Sequence, residues 1–518
     1  MKAFLMYKDC DFDPKQILSR RDRNRRNAGH HLDLDQLLPW NERALAQDLG
    51  LDFLCKAMAM EDEFLFEVAQ VALLSSVTDI GTITYRHHVF ADCLQHADVV
   101  KDLYQIATDA VVAERSNSLW IFAKHPSSVL HRSVKVLEMF IGMLRRLKGV
   151  ADRHASAFDS EGFSRLFAML KAELTDEYFA EIEEHLRRLR FRSGILVSAE
   201  LGKGNKGRNY VLRKSPEERR SLIARLVAGE PKGYTYQIAP LDEIGSRTLS
   251  ELNDAGLNLV ANVAAQSADH ILGFFQMLRT ELAFYIGCMN LYGKLSELSE
   301  PVCVPIPAAA GERTLLFSGL YDASLALSAE RKVIGNDLHA DGKGLFIITG
   351  ANTGGKSTFL RSVGIAQLMM QAGMFVPAES FTAEVCESVL THYKREEDKW
   401  MESGKWDEEL GRMSKIVDHI KPNALMLFNE SFASTNEREG SEIASHIVRA
   451  LLEKGIKVFF VTHLYSFARS YFDQQSGDTV FLRAERLPDG TRPFKLSEAE
   501  PLETSYGEDL YSKIFSTQ

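Results

Sequence analysis

The residues best suited to chemistry lie in Gly350-Ala-Asn-Thr-Gly-Gly-Lys-Ser-Thr358, which fits the pattern G-x-x-x-x-G-K-[ST]. Glycines at such spacing free successive backbone N–H groups to turn inward and wrap a phosphate. Lys356 has the reach for the β- and γ-phosphates, and Ser357 offers a hydroxyl to Mg²⁺. The pattern carries weight only between a strand and a helix. Gly344-Leu-Phe-Ile-Ile-Thr349 before it reads as a buried parallel strand, and Phe359–Met370 after it reads as a helix. A helix N-terminus adds partial positive charge where the phosphates would sit. Gly350, Ala351, Asn352, Thr353, Gly354, Gly355, Lys356, Ser357 and Thr358 are therefore expected to hold a nucleoside triphosphate, taken as ATP with Mg²⁺.

Two further strand ends bear polar groups. Ala424-Leu-Met-Leu-Phe428 runs into Asn429-Glu430, and Glu430 is expected to polarise the attacking water. Lys457-Val-Phe-Phe-Val-Thr-His463 ends in a histidine, read as a γ-phosphate sensor, with a structural histidine as the alternative.

These groups need elements to position them. Beyond Pro301-Val-Cys-Val-Pro-Ile-Pro307, read as a linker, short strands alternate with helices, the α/β signature. Strand candidates are Thr314–Phe317, Leu345–Ile348, Ala424–Phe428, Val458–Val461 and Val480–Leu482. Residues 308–518 are expected to form an α/β P-loop domain. Residues 40–300 read as an all-α core and lever region, because apolar residues recur at helical spacing from Trp40 to about Arg190 and again over 243–296. The second stretch includes about 45 residues of nearly unbroken helix, roughly 65 Å at 1.5 Å per residue. Within 191–239 the period changes. Ser193–Leu201 and Asn209–Arg213 flank a glycine-rich turn, a hairpin signal, and Gly233–Ile238 is a third strand candidate.

Length predicts about three domains. No apolar run reaches the ~18 residues of a membrane helix, and the N-terminus does not read as a signal peptide. Six scattered cysteines without a C-x-x-C pair argue against zinc and disulfides. The expectation is a cytoplasmic protein without membrane association. Net charge is −10, which does not favour nucleic acid, but residues 187–220 hold eleven Arg/Lys against three Glu. Residues 17–31, within a basic segment spanning 1–39, hold five Arg against one Asp. Lys203, Lys206 and Arg208 at the hairpin tip are candidate DNA-backbone contacts; a solubilising loop is the open alternative.

The sequence resembles the MutS family of DNA repair ATPases, within the ABC-type class. Thr349–Thr358 is similar to that family's T-G-x-N-x-G-G-K-S-T, Phe375-Val-Pro-Ala378 to its Y-V-P-A, Thr462-His463 to its T-H, and Ser505-Tyr-Gly507 to its S-Y-G. The resemblance implies an ATPase domain that closes on a second copy, a homodimer binding duplex or branched DNA with other repair proteins as partners. It places Val333 where an aromatic often packs on adenine. It makes Asn429 the counterpart of the aspartate that helps hold Mg²⁺, within Asn429-Glu-Ser-Phe-Ala-Ser-Thr-Asn436 where the family has D-E-x-G-R-G-T-S. Ser403 is the candidate for a serine acting in trans, with Lys405 a second; an exposed helix start is the equal alternative. The family's F-x-E mismatch wedge has no counterpart. Phe179-Ala-Glu181 falls in a helical pattern and reads as core packing, and the large clamp domain is expected to be reduced to the hairpin near 193–213.

Two functional classes follow. One is an ATP-driven clamp on duplex or branched DNA in repair or recombination, not mismatch-specific. The other is a slow nucleotide-gated scaffold with little turnover and no direct DNA role, motivated by Asn429 and the absence of the family's glycines after it.

Overall fold

The computed structural model describes residues 1–9, 39–75, 77–117, 125–191, 194–213, 237–239, 241–395 and 404–503. The chain divides into two compact units where length had favoured about three domains. One comprises Met1–Ala3, Lys101–Phe158 and Ser164–Arg279; the other comprises Phe4–Val100, Asp159–Phe163 and Thr280–Gln518. Three of the cut points fall inside helices, so no Gly- or Pro-rich linker marks them in the sequence.

Among the described residues the helices in chain order are α1 (Glu42–Leu49), α2 (Leu51–Ala59), α3 (Glu63–Leu74), α4 (Ile80–Gln95), α5 (Ala97–Asn117), α6 (Pro126–His154), α7 (Glu161–Glu173), α8 (Asp176–Leu189) and α9 (Glu243–Glu297). Then come α10 (Ala323–Ala329), α11 (Lys356–Ala372), α12 (Lys405–His419), α13 (Glu437–Glu453) and α14 (Tyr465–Asp473). The strands are β1 (Leu196–Leu201), β2 (Gly207–Arg213), β3 (Ile306–Ala308), β4 (Leu315–Leu320), β5 (Asn336–His339), β6 (Leu345–Gly350), β7 (Ser380–Glu384), β8 (Val389–Tyr393), β9 (Leu425–Asn429), β10 (Lys457–Val461), β11 (Thr479–Ala484) and β12 (Leu496–Glu498).

Among its described residues the first unit is helical apart from one hairpin and short connecting segments. In α8 the Thr175 hydroxyl accepts from the Tyr178 N–H, acids fill the first turn and Arg187 and Arg188 the last, so cap and charges match the helix dipole. Phe179 is buried in this helix beneath the Arg145 guanidinium, as core packing requires. α9 runs 55 residues. β1 and β2 pair antiparallel, Leu196 opposite Arg213, with the turn closed by Gly202 N–H to Lys206 O at 2.8 Å. Lys203, Lys206 and Arg208 are exposed around this turn, and Arg208 ion-pairs with Glu200 at 3.4 Å. Of the third strand candidate, Gly233–Tyr236 lie outside the described residues, and Gln237 and Ile238 are not in a strand.

The second unit holds both larger sheets. One has the order β12-β11-β6-β10-β9-β8, with β11, β6, β10, β9 and β8 parallel and β12 antiparallel at the edge. β6, β8 and β10 are buried at every position; β6 and β10 therefore read as mainly apolar runs, whereas β8, Val-Leu-Thr-His-Tyr, was not among the strand candidates. Phe346 stacks on Phe459 at 4.1 Å, and Phe428, Phe432, Phe460 and Phe467 form the core on one face. The other sheet is mixed, in the order β3-β7-β4-β5. The linker reading of Pro301–Pro307 is corrected here. Cys303 bridges to Val376, and β3 pairs parallel with β7 as an edge strand, where Pro307 can sit without costing a ladder bond.

α11 connects the phosphate-type loop to the unit's interior. Its C-terminal Ala372 carbonyl accepts from the buried Arg86 guanidinium at 2.9 Å, and Gly373 closes the helix at φ 79°. Arg86 also donates to Met6 O at 3.0 Å and lies over the Tyr7 ring. No helix among the described residues is long and apolar enough to cross a membrane.

Candidate functional site

Parallel strands leave a crevice beyond their carboxyl ends. Here β6, β9 and β10 end together: Val461 is in register with Ile348 on one side and with Asn429 on the other. The ladder continues one step past each strand, with Glu430 N–H to Val461 O at 2.9 Å and Thr462 N–H to Ile348 O at 3.0 Å. That fixes where Gly350, Asn429, Glu430 and His463 emerge.

Gly350 has φ 109°, and a Cβ there would lie 2.9 Å from the Ala484 nitrogen, so only glycine lets the loop leave β6 against β11. Gly355 starts α11 at φ 90°. Lys356 is 5% exposed, and its ammonium donates to Gly350 O and Ala351 O, both at 2.9 Å. An ammonium has three donors, so one remains for an anion held by the loop. Burial lowers the Lys356 pKa to about 8, with Glu430 opposing and Arg492 reinforcing the shift.

Ser357 Oγ donates to Asn429 Oδ1 at 2.9 Å. Glu430 Oε1 faces His463 Nε2 at 3.3 Å, and that contact, ahead of the neighbouring cations, holds the Glu430 carboxyl below the usual range, so it stays ionised. Glu430 sits at φ 54° and Phe432 at φ 63°, left-handed backbone that costs of order 1–3 kcal/mol per non-glycine residue and needs outside support. The support is buried. Ser431 donates to His392 O, Phe432 N–H donates to the Glu409 carboxylate, and His392 Nε2 meets Glu409 O at 3.1 Å. Because that carbonyl only accepts, the neutral ring carries its proton on Nε2. Burial keeps His392 neutral, its pKa lowered to about 4.

A cavity of about 480 Å³ opens over the loop, lined by Asn352–Phe359 and Glu430 on one side and by Tyr321, Leu325, Val333 and Ile334 among others on another. Val333 thus lines the cavity; its N–H donates to Glu300 at 2.6 Å. A larger cavity, about 690 Å³, lies in the other unit among Leu137, Leu144, Leu186 and Val260, with neither a glycine loop nor a carboxylate in its wall. The structure therefore brings together Gly350–Thr358, Val333, Asn429, Glu430 and His463. Lys203, Lys206 and Arg208 belong to the other unit. Ser403 and Ser505–Gly507 lie outside the described residues.

Two family models match the chain: the MutS2 N-terminal domain over residues 78–298 and MutS domain V over residues 346–509. The second match spans the whole loop, strand and histidine constellation. The chain belongs to the MutS family. Among relatives, it is 32% identical to the DNA mismatch repair protein MutS of Thermotoga neapolitana over 158 residues, 30% of this chain and 20% of that protein. It is 29% identical to the endonuclease MutS2 of Lacticaseibacillus casei over 229 residues, 44% of this chain and 27% of that protein. With the human MutS protein homolog 4 it shares 26% over 188 residues, 35% and 20% of the two chains. These matches thus span between a fifth and about a quarter of the length of the MutS relatives.

Arg492 and Phe494, both against the glycine loop, were not singled out from the sequence. Arg492 donates to Thr353 Oγ1 on the glycine loop, and Phe494 lines the cavity beside Gly355. The available signal was Leu487-Pro-Asp-Gly-Thr491, a turn signature that folds the following Arg-Pro-Phe back.

Proposed function

We propose that this MutS-family chain is an ATP-dependent DNA-binding protein that clamps duplex or branched DNA in repair or recombination, without mismatch specificity. What carries the reading is the convergence of Lys356, the Ser357–Asn429 pair and the Glu430–His463 pair at the ends of three neighbouring parallel strands, beside a nucleotide-sized cavity. In the proposed reaction the Gly350–Thr358 loop and Lys356 orient the triphosphate. Glu430, ionised, accepts the proton of the attacking water. His463 holds Glu430 and contacts the γ-phosphate.

The donor set suits Mg²⁺. A hydroxyl and an amide oxygen lie 2.9 Å apart, and Mg²⁺ favours oxygen ligands, several of them water or substrate phosphate. Among the described residues no group of three His, Cys, Asp or Glu forms a protein-only cage. Ser357 and Asn429 would hold the ion, which when bound neutralises phosphate charge.

Closure of two ATPase domains in a homodimer, with Ser403 reaching the partner's nucleotide, and grip on DNA phosphates by Lys203, Lys206 and Arg208 complete the proposal. ATPase rates and binding to duplex, mismatched and four-way-junction DNA, with and without ATP, test it at ~50–100 mM salt. Binding stimulated by ATP supports the clamp; no binding to any of these DNAs removes it.

A second reading, a slow nucleotide-gated scaffold, rests on one observation. Asn429 gives the Ser357 hydroxyl a neutral oxygen in place of a carboxylate.

A further inference from the structure

The segment between β11 and β12 folds into a hairpin finger. Glu485 N–H bonds Lys495 O and Leu487 N–H bonds Thr491 O, both at 2.9 Å. Its base is fastened to β5 on the other sheet. The buried Asn336 side chain donates to Phe494 O at 3.3 Å and accepts from Leu496 N–H at 2.8 Å, and Lys495 pairs with Asp337 at 3.3 Å. The finger therefore has a fixed place, and two of its side chains reach the glycine loop.

Arg492 donates to Thr353 Oγ1, whose own proton goes to Asn352 O at 2.7 Å. A guanidinium thus sits on the apex of a loop that already holds a buried ammonium, Lys356. Phe494 is 49% exposed and adopts φ 60°, a conformation costly for an aromatic residue. A Cβ on Gly355 would meet the Phe494 Cβ at 3.4 Å, so the aromatic side chain stands directly beside the start of α11. The cavity it lines runs from the glycine loop to Tyr321, Leu325, Val333 and Ile334, with Asp322, Arg331 and Lys332 among them. A cavity of about 480 Å³ with a mixed apolar and charged lining suits a nucleoside polyphosphate. Val333 cannot stack on a base, whereas Phe494 can.

Resting on the triphosphate reading above, we propose that the 485–495 finger is a cap supplied in cis to the nucleotide, with Arg492 binding the phosphates and Phe494 covering the nucleoside. Phe494 thereby distinguishes a nucleotide from a bare polyphosphate.

The test is competition binding on the full chain with ATP and with inorganic tripolyphosphate as probes. Phe494→Ala should weaken ATP about tenfold and leave tripolyphosphate unchanged, the scale of losing one base–aromatic stack. Phe494→Trp should restore ATP affinity. Arg492→Ala should weaken both probes. Equal ATP affinity for wild type and Phe494→Ala, with Lys356→Ala still abolishing binding, overturns the cap while leaving the triphosphate site in place. Absence of ATP binding by the wild type overturns both. Thermal melts of each variant confirm that folding is retained, as expected for a half-exposed side chain.

Discussion

The Ser357 hydroxyl and the Asn429 amide oxygen meet at 2.9 Å, tying the first turn of α11 to the end of β9. In a site built for a divalent cation, this is where a negative charge has most effect, and here the group is neutral. Substituting Asn429→Asp places that charge without altering size. Mg²⁺ should then support hydrolysis at roughly tenfold lower concentration, a gain of about 1.4 kcal/mol. A Mg²⁺ titration of ATPase rate for both proteins measures it.

Glu430 and His463 form the second pair, and the proposed base is the carboxylate. Glu430→Gln keeps the contact but cannot accept a proton. Turnover should fall by about 100- to 10,000-fold with ATP affinity changed only a few-fold. Single-turnover assays beside equilibrium binding separate the two effects. If the chain were a slow scaffold, the substitution would alter neither.

Lys356 titrates in an accessible range. Its folded pKa, about 8, lies below the ordinary 10.5, so carrying the charge costs stability below pH 8, and that cost disappears as pH rises from 8 towards 10.5. A bound polyphosphate reverses the shift. Nucleotide binding near pH 8 should therefore take up a fraction of a proton, and affinity should weaken from pH 7 to pH 9. Calorimetric titrations in two buffers of different ionisation enthalpy read the proton directly.

His392 and His87 are both buried, their pKa values lowered to about 4 by desolvation. Folded they stay neutral, while the unfolded chain protonates them below about 6.5. Their contribution is complete above pH 6.5 and is lost as pH falls towards 4. Each group steepens the loss by up to about 1.4 kcal/mol per pH unit. His392→Phe preserves the stack on Phe432 but removes the ring hydrogen bond to Glu409 O. Urea unfolding between pH 4.5 and 7.5 should show a shallower acid slope for this variant, and its ATPase rate should fall because the strained Glu430 turn loses one of its supports.

At the hairpin, Lys203→Glu with Lys206→Glu should weaken DNA binding and flatten its salt dependence, by about one unit of log–log slope for each DNA phosphate that is no longer neutralised. Arg208 already pairs with Glu200, so Arg208→Ala should have the smaller effect. Binding isotherms at several salt concentrations distinguish the three positions.

What the sequence disclosed follows from how locally each feature is determined. β6, β9 and β10 each carry four consecutive apolar residues because both faces are covered there, and such runs are visible without a structure. The β1–β2 pairing was visible because a glycine-rich turn separates two β-like runs. β3 and β5 span three or four residues and exist through partners outside their own neighbourhood: Thr382 for Ile306 and Phe317 for Leu338. No window of sequence contains those partners, and the prolines at 305 and 307 pointed to a linker. The same holds at the site. Lys356, Glu430 and His463 follow recognisable strand ends, whereas Arg492 and Phe494 arrive through a hairpin whose position depends on Asn336 and Asp337.

The most direct test of the central proposal is equilibrium binding of ATP with Mg²⁺ to the full chain and to Lys356→Ala. Saturable binding by the wild type, weakened at least about tenfold in the variant, is the expected result. Equal binding by both proteins, or none by either, would contradict a triphosphate site at Gly350–Thr358.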